Sequence, residues 1–313
     1  MDRQKLIEMA YQKGEKLNLN NRKYRNWLAA FFDKEYIDDI GTGDITSEAL
    51  LANNNLTKGV LKAKESGIIG GVEEVNWFLR KHSIEVKTCA KDGQEILKGE
   101  TILEVQGGQK DILATERIAL NVLQRMSGIA TETKRLTNLL NGYATKVAAT
   151  RKTLLKYLDK KAVSLGGGLT HRFGLWDSIL IKDNHLEALK NEGFPDYIET
   201  AITKASAFAD KVSFIEVEVT TYEEAVRAAR KFKVLRLNMP CVVMLDNMMP
   251  QMIKRTLETL QEEALYDSVL FEASGEITPE NIREYAKTGI DVVSLGYLTH
   301  SVRVLDMSLE MTI

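Results

Sequence analysis

The 313-residue chain has little cysteine, no excess of either charge and no long apolar run, and each lack excludes something. Cys89 and Cys241 are its only cysteines, and neither stands in a spacing used by metal or redox sites. They read as two ordinary buried thiols in a reducing compartment, which excludes a disulfide scaffold. The 42 basic and 44 acidic residues are mixed along the chain and sum to a net charge of -2. No basic tail or stripe offers itself to nucleic acid or to a membrane surface, so an anionic ligand has to be met by a local cluster. The first twenty or so positions are polar and charged, without an apolar stretch of signal-peptide or membrane-spanning length. The expectation is a soluble, cytoplasmic protein. No fixed repeat of about 20–50 residues is visible, which sets aside a solenoid. What is present, 44% hydrophobic and 27% charged residues, suffices for a large core: one barrel-sized domain, or a barrel with a smaller partner.

The first third is mixed, with a helical pattern around 24–33 and period-two alternation near 58–64, 84–88 and 101–105. This predicts a small α/β domain. The stretch 92–99 leading to 101–105 resembles the hairpins of lipoyl- and biotin-carrier folds in shape, although Lys110, the nearest candidate, lacks the small or Met neighbours of a modified hairpin tip. From Lys146 onward, apolar runs at 146–150, 178–181, 212–219, 241–245, 268–271 and 292–295 alternate with helical periods such as 222–232 and 252–264. That order specifies parallel strands joined by crossover helices, in a barrel or a doubly wound sheet. Thr278 and Pro279, with Gly289 beyond, predict one helix by its cap, first-turn proline and terminator.

Nearly every apolar run stops at a group that can do chemistry. The first ends in Thr150, Arg151 and Lys152, and the second in Lys182, Asp183, Asn184 and His185. The third carries Glu216 and Glu218, the fourth ends in Asp246 and Asn247, the fifth runs into Ser274 and Gly275, and the sixth ends at Gly296. In a parallel β/α barrel the carboxyl ends of all strands open on one face, so these residues converge. Arg151, Lys152, Arg172 and Lys182 supply forks and point charges for carboxylates and phosphates. Glu218 and Asp246 supply hard oxygens for Mg²⁺ or sugar hydroxyls. Ser274, Gly275 and Gly296 let backbone N–H groups approach a phosphate, and the glycines at 166–168 suit close passage of the backbone past a ligand. Singly, each has an ordinary reading: a solvated turn residue, a geometric glycine, a structural role for one of Glu216 and Glu218, a His185 that begins the next helix, a His300 that packs.

These residues, in order, resemble the motifs of the quinolinate phosphoribosyltransferases, the carboxylating nicotinate-nucleotide pyrophosphorylases of type II. The likeness covers 150–153, 166–168, His171 with Arg172, 180–185, 216–218, 245–247, 272–275, 295–296 and 298–301, and reaches upstream to 43–46, Glu116 with Arg117, and 127–130. The resemblance implies an α/β sandwich over 1–117, joined by the tail 302–313, and an open β/α barrel over 118–301 that carries the active site. It implies a head-to-tail homodimer in which Arg117 is lent to the partner's site, and leaves open whether dimers build hexamers. Arg117, Arg151, His171 and Arg172 would surround the two carboxylates of quinolinate. Lys152 and Lys182 would lie between the acid and phosphoribosyl diphosphate, with Thr150 lining the substrate site. Glu218 and Asp246 would serve the ribose hydroxyls and Mg²⁺, and Ser274, Gly275 and Gly296 the 5-phosphate. The implied reaction makes nicotinate mononucleotide, diphosphate and CO₂ in NAD biosynthesis.

The sequence departs from the family pattern in three places. The segment after Thr153 is about two residues shorter, and the basic residue often found there is either replaced by Lys156 or absent; 227–240 is longer; and Glu276 follows Gly275 where a small residue is commoner. A carboxylate there is unfavourable for a phosphate unless it points away. Two other readings remain open at this level: a related phosphoribosyltransferase with another acceptor, molybdenum-associated or nicotinate-specific, and a non-catalytic binding module built on the lipoyl-like hairpin.

Overall fold

The computed structural model describes residues 2–312. Among these the strands are, in chain order, β1 (Leu56–Ala63), β2 (Gly67–Ile68), β3 (Glu85–Thr88), β4 (Glu95–Ile96), β5 (Thr101–Gly108), β6 (Lys146–Ala148), β7 (Ile179–Ile181), β8 (Ile215–Val219), β9 (Cys241–Asp246), β10 (Leu270–Ser274), β11 (Val292–Ser294) and β12 (Met307–Thr312). The chain divides into two compact units, each discontinuous in sequence. One comprises Gly14–Lys134, Leu154–Gly167 and Leu298–Ile313, the other Met1–Lys13, Arg135–Thr153 and Gly168–Tyr297.

The first unit is built on an antiparallel sheet ordered β12-β1-β5-β3. Alternation dictates its buried face: Leu61 and Ala63 on β1, and Leu103 and Val105 on β5, are removed from solvent. The helix Val72–Lys81 packs Val75, Phe78 and Leu79 inward, and its first amides are held by Asp92, which accepts from Val72 N at 2.8 Å. Phe78 stacks on Phe32 of the helix Arg22–Ile40 at 4.4 Å between ring centroids. The carrier-type hairpin does not form: β4 pairs with β2, while β5 pairs with β1 and β3. Cys89 in this unit is exposed rather than buried; only Cys241 is buried, and desolvation pushes its thiol up to about 12.

The second unit is the β/α barrel. Its sheet runs β6-β11-β10-β9-β8-β7, every pair parallel, and Leu169 adds a parallel bridge on the free side of β6. The helices Asp183–Asn191, Tyr197–Ser206, Tyr222–Leu235, Pro250–Glu262 and Ile282–Ala286 alternate with these strands. In a flat sheet Leu169 and β8 would stand about 24 Å apart, five strand spacings. Instead His171, two residues after Leu169, comes within 3.5 Å of Glu216 on β8 and 3.3 Å of Glu272 on β10. The sheet is therefore curled round an interior. Phe214, Val242, Leu270, Val292, Ala148 and Leu169 meet there, and the helix Arg3–Tyr11 seals one end with Ile7, Ala10 and Tyr11.

The helix expected from Thr278 is shorter. Asn281 turns back on the preceding loop, accepting from Thr278 N at 2.8 Å and donating to Glu276 O at 3.0 Å, so the helix begins only at Ile282. Among the described residues no helix is long and apolar enough to cross a membrane.

Candidate active site

Along β8, β9 and β10 alternate residues face the barrel axis, so each strand contributes an ascending series. The series are Phe214, Glu216, Glu218; Val242, Met244, Asp246; and Leu270, Glu272, Ser274, with Val242 beside Leu270, Met244 beside both Glu218 and Glu272, and Asp246 beside Ser274. The lowest members belong to the apolar floor. Above it lies a buried polar layer, and above that the mouth.

In the polar layer Glu216 and Glu272 are fully buried, and His171 Nε2 lies 3.5 and 3.3 Å from their carboxylates. Two adjacent carboxylates out of water cannot both hold charge. Burial, then the neighbouring Glu272, pushes Glu216 well above the carboxylate range. Burial alone would raise Glu272 too, but the His171 ring and the hydroxyls of Ser294 and Tyr11 outweigh it and bring that group down. His171 Nδ1 accepts from Arg172 N at 2.7 Å, which leaves Nε2 to carry the ring proton toward the carboxylates. His171, Glu216 and Glu272 also offer ligand atoms within 4.8 Å of one another.

At the mouth, β7 delivers Lys182, whose Nζ donates to Glu218 Oε2 at 2.6 Å. Asp246, the last residue of β9, accepts from Ser274 Oγ at the end of β10 and from Asn247 Nδ2 at 2.6 Å. Gly275 follows with φ 85°, and a Cβ there would meet Asn247. Thr150 is half-buried and its hydroxyl accepts from Lys152 N at 3.1 Å, while the Arg151 and Lys152 side chains are exposed. Arg172 is buried, and one guanidinium nitrogen donates to Ser178 O at 3.2 Å. Burial, then the nearby Arg151, lowers its proton affinity. Gly296 lies two residues beyond β11 and is half-buried. His185 acts as the ordinary reading has it: its Nδ1 accepts from Lys182 N at 3.0 Å at the start of the helix Asp183–Asn191.

One unit thus collects Thr150, Arg151, Lys152, His171, Arg172, Lys182, Glu218, Asp246, Ser274, Gly275 and Gly296 at or beyond the carboxyl ends of its strands. Arg117 is elsewhere, exposed on the helix Gln109–Leu139 in the portion that belongs to the other unit. Gly166 lies close against a neighbouring helix. A Cβ there would strike Ala130 O and Thr133 Cβ, so it is small because of a neighbouring helix backbone. Glu276 is exposed, at φ 49°.

Residues the sequence reading did not single out are Tyr11, Lys13 and Asp177. Lys13 Nζ donates to Asp177 Oδ2 at 2.6 Å with both side chains buried, and Asp177 Oδ2 also accepts from Phe173 N at 2.7 Å. The one available signal is the spacing of Ile7, Ala10 and Tyr11, an apolar helical face in an otherwise polar stretch.

Comparison with known proteins identifies the family. The family model for the quinolinate phosphoribosyl transferase C-terminal domain matches residues 129–310, and that for the N-terminal domain matches 44–127. The probable carboxylating nicotinate-nucleotide pyrophosphorylase of Methanothermobacter thermautotrophicus is 40% identical over 279 residues, 87% of this chain and 94% of its own. That of Bacillus subtilis is 35% identical over 302 residues, 94% of this chain and 96% of its own. The structure of the nicotinate-nucleotide pyrophosphorylase from Francisella tularensis superposes with a TM-score of 0.78 at 32% identity, covering 92% of this chain and 96% of that one. With both domain models matched in order and relatives of this identity aligned over nearly their whole length, the chain belongs to the quinolinate phosphoribosyltransferase family.

Proposed function

We propose that the protein transfers the phosphoribosyl group of phosphoribosyl diphosphate to quinolinate, yielding nicotinate mononucleotide, diphosphate and CO₂ in NAD biosynthesis. The observation that carries this reading is the pair Arg151 and Arg172. The buried Arg172 feels the charge of Arg151, and neither is in an ion pair among the described residues. Two cations left together at a strand-end site fit an acid with two adjacent carboxylates.

In this reaction the pyridine nitrogen forms the bond to ribose C1 as the C1–O bond to diphosphate breaks, and the leaving oxygen keeps the electron pair. The quaternised ring then accepts the pair released when the C2–carboxylate bond breaks; CO₂ departs and C2 takes a proton from solvent. Lys182 is held by Glu218 in the free protein, and the incoming diphosphate competes for it, leaving Glu218 free to face the cationic sugar. Lys152 adds charge from β6's end, and Asp246, fixed by Ser274 and Asn247, takes a ribose hydroxyl. Ser274, Gly275 and Gly296 receive the 5-phosphate, with Thr150 and His171 completing the acceptor side.

Glu218 and Asp246 fit Mg²⁺ as hard, partly exposed oxygens, though too few for an all-protein cage, which suits an ion held chiefly by substrate and water. When bound, the ion neutralises the leaving diphosphate. The exposed Arg117, together with exposed Leu175 and Trp176 just after Arg172, supports a homodimer in which Arg117 enters the partner's site. The exposed free thiol of Cys89 suits a cytoplasmic setting.

The test is release of CO₂ from carboxyl-labelled quinolinate with phosphoribosyl diphosphate and Mg²⁺, run beside nicotinate as acceptor. Label release with nicotinate inert supports the proposal. Turnover of nicotinate without release from quinolinate assigns the other acceptor, and no turnover of either acid ends the enzymatic reading.

A further inference from the structure

The segment Met1–Lys13 lies outside the stretches matched by the family models, yet it belongs to the barrel unit and closes its floor. It does more than fill space. Tyr11 O accepts from His171 N at 3.0 Å and from Thr170 Oγ1 at 2.7 Å. Lys13 N donates to the same Thr170 Oγ1 at 3.0 Å, and Lys13 Nζ reaches Asp177, which in turn holds Phe173 N. The residues 170–173 are therefore gripped at both ends by the N-terminal segment. The grip matters because His171 sits at φ 54°, a conformation a residue with a Cβ adopts only when its surroundings impose it.

The side chain of Tyr11 reaches the same place. Its ring meets the His171 ring edge-on at 5.1 Å and the Phe214 ring at 5.3 Å. Its hydroxyl is fully buried on the side of Glu272 and Glu216, and neither it nor the four carboxylate oxygens completes a hydrogen bond of good geometry. Five buried polar atoms left short of partners around one imidazole are poised to tighten when that imidazole is drawn into line. Arg3 anchors the far end of the helix, donating through two nitrogens to Asp291 at 2.5 and 2.6 Å, and Asp291 also accepts from Phe271 N on β10 at 2.7 Å.

We infer that Tyr11 is a positioning residue for the acceptor acid: from beneath the barrel it sets the orientation of His171, and with it that of the adjoining Arg172. This rests on the proposed function, in which those two side chains hold the dicarboxylate. The donor is handled by other strand ends, so the effect is confined to one substrate.

The experiment compares Tyr11→Phe and Tyr11→Leu with the unmodified protein, using calorimetric binding of quinolinate and steady-state rates with each substrate varied in turn. Tyr11→Phe keeps the ring and the backbone carbonyl. It is expected to weaken quinolinate binding and raise its KM about 5- to 20-fold, with the KM for phosphoribosyl diphosphate and the melting temperature unchanged. Tyr11→Leu, which also loses the ring edge, is expected to exceed that loss at quinolinate. Equal loss for both substrates would mean general loosening and overturns the inference, as does wild-type quinolinate affinity in both variants. One equivalent of a transition metal per chain in the purified protein would also overturn it, since His171, Glu216 and Glu272 would then be ligands. Failure of the underlying function shows separately, as an unmodified protein that neither binds nor decarboxylates quinolinate.

Discussion

Gly275→Ala tests the proposed phosphate end of the site. The glycine sits at φ 85°, where an added Cβ costs roughly 1–2 kcal/mol in backbone strain. The new methyl would also lie 2.6 Å from Asn247 Cγ and 2.9 Å from Asn247 N, and closer still to Oδ1. Asn247 has little freedom to yield. Its backbone N donates to Ser274 O at 3.0 Å and its side chain donates to Asp246 Oδ2 at 2.6 Å. Overpacking of this kind costs about 1–3 kcal/mol, for a total of roughly 2–5 kcal/mol. Relief requires displacing Asn247, and with it Asp246 and Ser274, all proposed to hold the donor. If about 2 kcal/mol of the cost falls on donor binding in the transition state, kcat/KM for phosphoribosyl diphosphate drops about 30-fold. The assay is initial rate against donor concentration at saturating quinolinate, with quinolinate affinity measured separately and expected to hold. A Gly275→Ala protein with unchanged donor kcat/KM and unchanged melting temperature would refute the placement of this turn against the donor.

Three further outcomes follow from the geometry. Arg151→Ala and Arg172→Ala each abolish turnover of the dicarboxylic acid, and full activity in either purified variant removes that arginine from the site. Lys13→Met strands the buried Asp177 carboxylate, which costs about 3–5 kcal/mol and lowers the barrel unit's melting temperature by roughly 6–20 °C. Adding Asp177→Asn, which keeps an acceptor for Phe173 N, recovers most of it; no recovery would show that the ion pair is not the cause. Hydrogen bonds from Lys62 and Lys64 hold the Glu310 carboxyl down at about 2, against 4.5 unperturbed. A depressed carboxyl contributes stability that is complete above its unfolded value and lost as pH falls toward the folded one. Glu310→Gln therefore flattens the acid limb of the denaturation profile between about pH 4.5 and 2, and 1 M salt erases the difference, since the pair is solvent-exposed.

Much of the barrel is legible because its strands are apolar and polar residues stand where they stop. The legibility fails where a polar residue faces inward. An apolar reading of β10 ends at Phe271, but the strand continues to Ser274, since Glu272 points into the interior and is sheltered there. β8 begins at Ile215 rather than 212 because Ser213 is committed to Asp177, donating through N at 3.0 Å and through Oγ at 3.3 Å. Gly166 shows a different limit: a bare glycine signals close approach without naming what approaches, and at this position Ala130 O comes close. Cys89 alternates out of the sheet edge region into solvent beside Glu104, a side that the cysteine's own chemistry does not disclose.

Depth within the barrel is not written in the sequence pattern. Glu216 and Glu218 stand two residues apart on one strand, about 6.6 Å along the barrel axis direction, and share a face. Yet Glu216 is fully buried and driven toward its neutral form, while Glu218 is partly exposed and pairs with Lys182. Nothing in the alternation of β8 separates the two; the difference is imposed from below. Ile7, Ala10 and Tyr11 pack against the lowest interior residues, and the layer just above them is cut off from water on that side. Desolvation then forces Glu216 and Glu272 to divide charge unequally, while the layer nearest the mouth, where Glu218 pairs with Lys182, stays partly open to solvent. A helix about 140 residues upstream of β6 in the chain, counted from Arg3 to Lys146, thus decides which of two neighbouring glutamates is cut off from water.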